Sequence, residues 1–425
     1  MKETRTVAFH TLGCKLNYSE TSSISRLMEE EGFEKRKFED KADIYVINTC
    51  SVTDNADKEC RHLVRRVLRK SPESLVVITG CYAQLKPQEI ASIPGVNLVL
   101  GAAEKFNIVQ HITELSKGDS GKICSCDIEE VNGFHASFSG GDRTRSFLKV
   151  QDGCDYNCSF CTIPMARGKS RSDSVHHVAA TVRELAEKGI KEIVLTGVNL
   201  GDFGKSYSGD KNLEENFFDL VKELDKIGGI ERYRISSIEP NLLTNDIIEF
   251  VARSDRFMPH FHIPLQSGSN KILGMMRRRY KRELYAERVS HIKQYMPHCS
   301  IGADVIVGFP GESAADFNET FNFLHSIDVS YLHVFTYSER DNTHALSIQP
   351  VTPVNDRYER NKQLRNLSFM KSQYFSERHA GQTRKVLFEI SKKNGMMEGY
   401  TDNYIKVITP HREEWANKII DWKLS

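Results

Sequence analysis

The sequence predicts an α/β protein of more than one domain. Three observations carry that prediction: a length of 425 residues, two long stretches in which strand-like and helix-like runs alternate, and a tail of short strand-like runs separated by Gly and Asn. Alternation of this kind builds βαβ units, hence parallel sheets with helices on their faces. The length sets a soft prior of about three domains. A composition of 39% hydrophobic, 27% charged and 9% aromatic residues excludes general disorder, collagen-like repeats and coiled coil. No dense disulfide framework is needed, because a chain this long buries about three quarters of its unfolded surface.

The first series opens with a strand over 7–12, an amphipathic helix over 19–31 stopped by Gly32, and a strand over 44–48. A basic helix over 54–70 follows, then strands over 75–79 and 96–100. Between 116 and 142 the pattern dissolves into Gly, Ser and Asp, which reads as a linker between a first domain, 1–115, and a second, 143–379. The second series carries strands over 147–150, 192–196, 232–236, 261–263, 302–307 and 331–335. Its helices lie over 174–188, 214–227, 282–295 and 314–327. Six such units make either an open doubly wound sheet or an incomplete barrel, and periodicity does not choose. Pro350 and Pro353 precede a polar helix over 356–379, and strands over 384–390, 396–400 and 404–409 form the tail domain, 380–425. The N-terminus shows no apolar signal segment and no apolar run approaches a membrane span, so a cytoplasmic protein is expected.

In a reducing compartment, cysteines outside a disulfide scaffold are candidate metal ligands or catalysts, which makes the positions of these ten informative. Cys14, Cys50 and Cys81 each follow one of the first three long strands. In a parallel sheet those ends share one edge, the edge where open α/β folds bind ligands. The plain alternative is three small buried residues at strand ends. A second set, Cys154, Cys158 and Cys161, has the spacing C-x3-C-x2-C with no fourth cysteine nearby. Structural zinc wants four ligands, usually as two close pairs, whereas a cubane iron–sulfur cluster on three thiolates keeps one iron open. Cys60, Cys124, Cys126 and Cys299 fall outside both sets and read as incidental thiols. Gly197, Gly201 and Gly204 lack the G-x-G-x-x-G spacing, which excludes a dinucleotide reading.

C-x3-C-x2-C with an aromatic residue before the last cysteine resembles the radical S-adenosylmethionine enzymes, and that resemblance favours the partial barrel. It extends over nearly the whole chain to their methylthiotransferase family. The stretches that carry it are TLGCKLNYSET from Thr11, INTCSVTDNAD from Ile47, TGCYAQ from Thr79, GCDYNCSFCTIPMARGKSRS from Gly153, HIPLQSGSN from His262 and DVIVGFPGE from Asp304. The CKLNYSET wording resembles the branch acting on threonylcarbamoyladenosine in tRNA. The implied architecture is an N-terminal parallel-sheet domain, a central partial (β/α)6 radical barrel and a small C-terminal β-barrel of the TRAM type. The implied cofactors are two 4Fe-4S clusters and S-adenosyl-L-methionine. Cys14, Cys50 and Cys81 would hold an auxiliary cluster carrying the sulfur, and Cys154, Cys158 and Cys161 the cluster that cleaves the cofactor. Phe160 would pack near the adenine, with Gly197, Asn199, Ser237, Glu239, Gln266 and Ser267 as further candidates for the cofactor pocket.

The implied reaction places a methylthio group on the adenine C2 of N6-threonylcarbamoyladenosine at position 37 of tRNA. The same chemistry on a ribosomal protein side chain or on isopentenyladenosine, or a non-enzymatic metal-stabilised tRNA-binding protein, are the competing readings. The resemblance also implies an electron donor protein such as flavodoxin or ferredoxin, no membrane and a monomer. The net charge is +1, so tRNA must be gripped by local patches. Lys58, Arg61, Arg65, Arg66, Arg69 and Lys70 form one, and 277–282 forms another. From Pro353 onward 14 Lys and Arg stand against 9 Asp and Glu. Phe388, Tyr400 and Tyr404 in the tail suit either base stacking or a core.

Overall fold

A computed structural model describes residues 5–51, 54–115, 120–131, 133–140, 144–205 and 214–425. Residues 1–4, and 116–119, 132 and 141–142 of the expected linker, lie outside the described residues. The first domain is a six-stranded, all-parallel sheet of β1 (Thr6–Thr11), β2 (Glu34–Arg36), β3 (Ile44–Thr49), β4 (Leu75–Gly80), β5 (Leu98–Leu100) and β6 (Lys122–Cys124). Its order is β2-β1-β3-β4-β5-β6, so the winding reverses between β1 and β3. Every residue of β3 is buried, its first four apolar as a strand covered on both faces should be, and its last two, Asn48 and Thr49, polar. The helix Lys15–Glu30 lays Ile24 and Met28 on one face beside Ile108 and Ile112. The helix Asp54–Lys70 lays Leu63, Val64 and Val67 on the other. At only three residues, β6 is too short for an alternation pattern to register. It nevertheless extends the sheet from inside the segment expected to be a linker.

The second domain begins with β7 (Ser137–Phe138), also inside that segment, antiparallel to β8 (Arg145–Lys149). A short antiparallel ribbon joins β9 (Gln151–Asp152) to β10 (Arg171–Ser172). The parallel set β8, β11 (Glu192–Thr196) and β12 (Arg232–Ile235) continues into β13 (His260–His262), β14 (Ser300–Val307) and β15 (Tyr331–Thr336). The two trios meet through isolated bridges, Tyr233 to Phe257 and Ser237 to His262. Pro259 and Pro264 flank β13, and proline donates no ladder hydrogen bond, which accounts for its shortness and the thin seam. Six parallel strands with helices outside form a partial (β/α)6 barrel whose lateral opening lies between β8 and β15.

The tail is a four-stranded antiparallel sheet of β16 (Thr383–Lys393), β17 (Met396–Thr401), β18 (Lys406–Pro410) and β19 (Ile419–Lys423), in the order β18-β17-β16-β19. β19 was not expected from the sequence; its half-buried Ile420 and Trp422 pack with Phe388 and Trp415. The sheet caps the N-terminal ends of the barrel strands. Arg232 donates to the Tyr400 and Lys385 carbonyls at 3.0 and 2.7 Å, and Arg234 to the Asp402 and Thr401 carbonyls at 2.8 Å each. Among the described residues no helix is long and apolar enough to cross a membrane.

Candidate functional site

Cys14, Cys50 and Cys81 stand at the C-terminal ends of β1, β3 and β4, three consecutive strands of the sheet that include the point where its winding reverses. Open α/β sheets bind ligands at such points. Gly13 has φ +95°, and a Cβ there would sit 2.6 Å from the Cys50 Cβ and 2.7 Å from its Sγ, so only glycine lets these loops close on each other. The Asn17 side chain ties them, donating to the Leu12 and Thr49 carbonyls at 2.9 Å each. Burial pushes the Cys81 thiol up, against the pull of Arg167.

The second set follows β9 at the C-terminal end of the barrel. Gly153, at φ +68°, brings Cys154 in where a Cβ would lie 1.9 Å from the Lys169 carbonyl oxygen. The Tyr156 and Ile163 N–H groups donate to the Cys154 and Cys161 sulfurs at 3.4 Å each. Arg278 donates to the Cys158 sulfur at 3.2 Å and pairs with Glu239. Burial pushes the Cys154 and Cys161 thiols up to about 12. Burial likewise raises Glu239, against the pull of Arg278.

Phe160 and Cys161 line a cavity of about 240 Å³ together with Gln266, Asp304, Ile306 and Tyr337. Gln266 sits at φ +67°, a costly conformation for a non-glycine residue, held by backbone bonds to Asp304 and Ile306. Asp304 accepts from His262 Nε2 at 2.8 Å and lies 3.3 Å from His333 Nδ1. Burial would raise the Asp304 carboxyl, but the two histidines outweigh it and hold it below the usual carboxylate range. An open groove of about 1040 Å³ adjoins, walled by β15 and the helix Val354–Glu377, and takes in His333, Phe335, Arg365, Phe369 and Lys58.

Of the sequence-derived candidates, Phe160 and Gln266 reach the cavity. Gly197 and Asn199 follow β11 and pack on Gln151, whose side-chain oxygen accepts the Asn199 N–H at 2.9 Å. Ser237 continues β12 and bridges to His262, and Glu239 is spent on Arg278. Ser267 is fully buried against Thr320, at 3.1 Å. Of the second basic run only Arg278 is turned inside; Arg277, Arg279 and Lys281 are exposed, with Arg279 over Tyr156 at 3.9 Å, and half-buried Arg282 pairs with Glu319 at 2.6 Å. Phe388 is core, while Tyr400 and Tyr404 stack on each other at 4.9 Å, and Tyr404 stacks on His260 at 4.2 Å. Sequence reasoning passed over the residues that join the two cysteine sets. Arg167 donates to Asn17 at 2.7 Å, Glu20 at 3.1 Å and Asp152 at 2.8 Å. Glu20 also pairs with Lys105 at 2.7 Å and Lys149 at 3.1 Å. Burial would raise Glu20, but Arg167, Lys105 and Lys149 outweigh it and keep the carboxyl ionised.

In this buried network Lys105, Lys149, Arg167 and Arg171 face Glu20 and Asp152, leaving positive charge in excess beside Cys14 and Cys81. Excess positive charge favours thiolate over thiol. Three thiols on converging loops beside it, and three more with N–H and guanidinium donors aimed at sulfur, fit groups ligated by three thiolates each.

The comparisons agree with this geometry. Residues 6–101 match the uncharacterized protein family UPF0004, and residues 148–324 match the radical SAM superfamily. The chain is 40% identical to the threonylcarbamoyladenosine tRNA methylthiotransferase MtaB of Bacillus subtilis (strain 168), over 99% of this chain and 93% of the relative. It is 41% identical to MtaB of Aquifex aeolicus (strain VF5), over 94% and 96% respectively. The structure of TsrM from Kitasatospora setae, a radical S-adenosylmethionine methyltransferase with cobalamin and a [4Fe-4S] cluster bound, superposes with a TM-score of 0.56 at 13% identity. That match covers 93% of this chain and 80% of the other, and it speaks for the fold alone.

Proposed function

The chain belongs to the methylthiotransferase family of radical S-adenosylmethionine enzymes, and from that premise we propose that it methylthiolates N6-threonylcarbamoyladenosine at position 37 of tRNA, at the adenine C2. The observation that carries this reading is the pair of three-cysteine sets joined through Arg167. Cys154, Cys158 and Cys161 would hold the cluster that serves S-adenosyl-L-methionine, and Cys14, Cys50 and Cys81 would hold the auxiliary 4Fe-4S cluster that supplies the sulfur. When bound, these groups supply radical chemistry at an aromatic C–H that no protein side chain provides.

The chain's own residues place and shield. Phe160, Ile306 and Tyr337 give the cavity apolar walls that receive a flat ring and exclude water. Arg278 fixes the Cys158 sulfur and is itself held by Glu239 and by the Tyr280 hydroxyl at 3.2 Å. Gln266 keeps the β13–β14 side of the cavity rigid through its two backbone bonds. The groove from Lys58 to Arg365 admits the anticodon loop, with exposed Phe335 and Phe369 available to stack on unpaired bases. The protein works as a cytoplasmic monomer supplied with electrons by a flavodoxin or ferredoxin. Nucleoside mass spectrometry of tRNA from cells with and without the gene tests the reading. Loss of the methylthio form with accumulation of threonylcarbamoyladenosine is expected, and unchanged tRNA overturns it.

A further inference from the structure

We propose that His262, Asp304 and His333 form a binding site for one divalent transition-metal ion, set in the barrel lumen and built without any of the six cluster cysteines. Such a site goes beyond the tRNA reading and exists whether or not tRNA is the substrate.

The three residues come from three neighbouring parallel strands, and register brings them together. His262 of β13 lies opposite Gly302 of β14, and Asp304 of β14 lies opposite His333 of β15. Side chains two apart on a strand share a face, so all three donors stand on one side of the sheet. Asp304 and Ile306 line the cavity, which identifies that side as the inner one. His262 Nε2 lies 2.8 Å from Asp304 Oδ1, and His333 Nδ1 lies 3.3 Å from the same oxygen. The three donor atoms all fall within 4.8 Å of one another, and the two imidazole rings are 5.0 Å apart. Asp304 is fixed by its own backbone, whose carbonyl accepts from the Leu265 and Gln266 N–H groups at 3.1 and 2.8 Å.

Two imidazole nitrogens and one carboxylate oxygen suit zinc, cobalt, nickel or ferrous iron, whereas magnesium and calcium prefer shells of oxygen alone. Ligand bonds of about 2.0–2.2 Å put tetrahedral donors roughly 3.4 Å apart, close to the 2.8 and 3.3 Å found here. On the side toward the tail the site is floored by Tyr331, whose ring fills the space over Gly302; a Cβ there would fall 2.3 Å from it. The remaining coordination positions therefore open the other way, where Asp304 borders the cavity and His333 borders the groove. Three protein ligands with a position left open are the pattern of reactive rather than structural sites. A donor atom of whatever enters from the groove is placed to complete the shell. The plain alternative is a carboxylate that only accepts hydrogen bonds from two neutral histidines and has no affinity for an ion.

The test offers metal to protein whose cluster thiolates are already taken. Holoenzyme with both clusters fully loaded is dialysed anaerobically against micromolar zinc chloride, and bound zinc is counted by elemental analysis. The wild type is compared with His333→Gln, Asp304→Asn and a control, His177→Gln, which removes the surface pair with Asp173. One zinc per chain is expected in the wild type and the control. Zinc-edge X-ray absorption should show nitrogen and oxygen neighbours at about 2.0–2.2 Å and no sulfur at about 2.3 Å. Loss of a ligand should weaken binding by about a hundredfold or more, the upper range for outer partners of a metal site. Thermal midpoint and iron content are checked for each variant; the His333 side chain is half exposed, so His333→Gln decides the matter if Asp304→Asn does not fold. A wild type without zinc, sulfur in its shell, zinc retained by His333→Gln or by folded Asp304→Asn, or zinc lost from the control overturns the proposal. Zinc content and shell are read without tRNA, so failure here leaves the methylthiolation reading standing, and unchanged tRNA in cells leaves this site standing.

Discussion

At the residue scale, the most constrained positions are the glycines that let cysteines approach and the cation that holds one sulfur. Gly13→Ala places a methyl group in the Cys50 side chain at a backbone angle alanine resists. Strain of this kind costs about 1–3 kcal/mol. We expect a lower thermal midpoint and a loss of iron confined to the Cys14, Cys50 and Cys81 set, readable as a halved iron and sulfide content. Arg278→Met removes the Cys158 donor and leaves Glu239 buried without its cation. The expected result is loss of iron from the other set, with the auxiliary set retained. Electron paramagnetic resonance of the reduced protein distinguishes the two outcomes. The cysteines were legible because spacing and strand-end position survive in one dimension. Arg278 was not, because a run of basic residues reads as surface until the fold shows one member turned inward.

At the element scale, the fold was legible wherever strands were long and apolar, as in β3, β4 and β14. It was obscure where an element has two or three residues, as in β6 and β7, or where a tail strand such as β19 mixes Ile and Trp with charged residues. The junction between the helix Lys15–Glu30 and the barrel was invisible for another reason. Glu20 and Arg167 are 147 positions apart, and no local pattern announces their pairing. Glu20 and Asp152 are both held below their ordinary values by Arg167, Lys105 and Lys149. Carboxyls depressed in this way add stability above their unfolded values, and that stability falls as pH drops below about 4. Glu20→Gln strands buried cations and should cost about 3–5 kcal/mol at neutral pH. In urea melts between pH 3 and pH 8, the gap between wild type and variant should narrow only on the acid side. A gap independent of pH would contradict the role given to this network.

At the scale of the whole molecule, the barrel is closed below by the tail sheet and flanked at its opening by the first domain, so each of the three parts walls the same interior. Deleting residues 380–425 would bare Arg232, Arg234 and the Tyr331 side of the lumen, and so should lower the barrel's thermal midpoint as well as RNA affinity. Differential scanning calorimetry checks this; an unchanged barrel transition would mean the tail is only an RNA grip. The tail is docked partly through its own backbone, where Arg232 and Arg234 donate to four main-chain carbonyls, and partly through Glu389 on Arg145 and Tyr404 on His260. The share of the joint written in carbonyl oxygens does not depend on side-chain identity, only on strands turning at the same places, which leaves Glu389 and Tyr404 as the positions a substitute must keep. The tail is therefore a replaceable part, free to accumulate substitutions on its outer face, and a chimera carrying the corresponding sheet of a relative should seat on this barrel and keep its clusters.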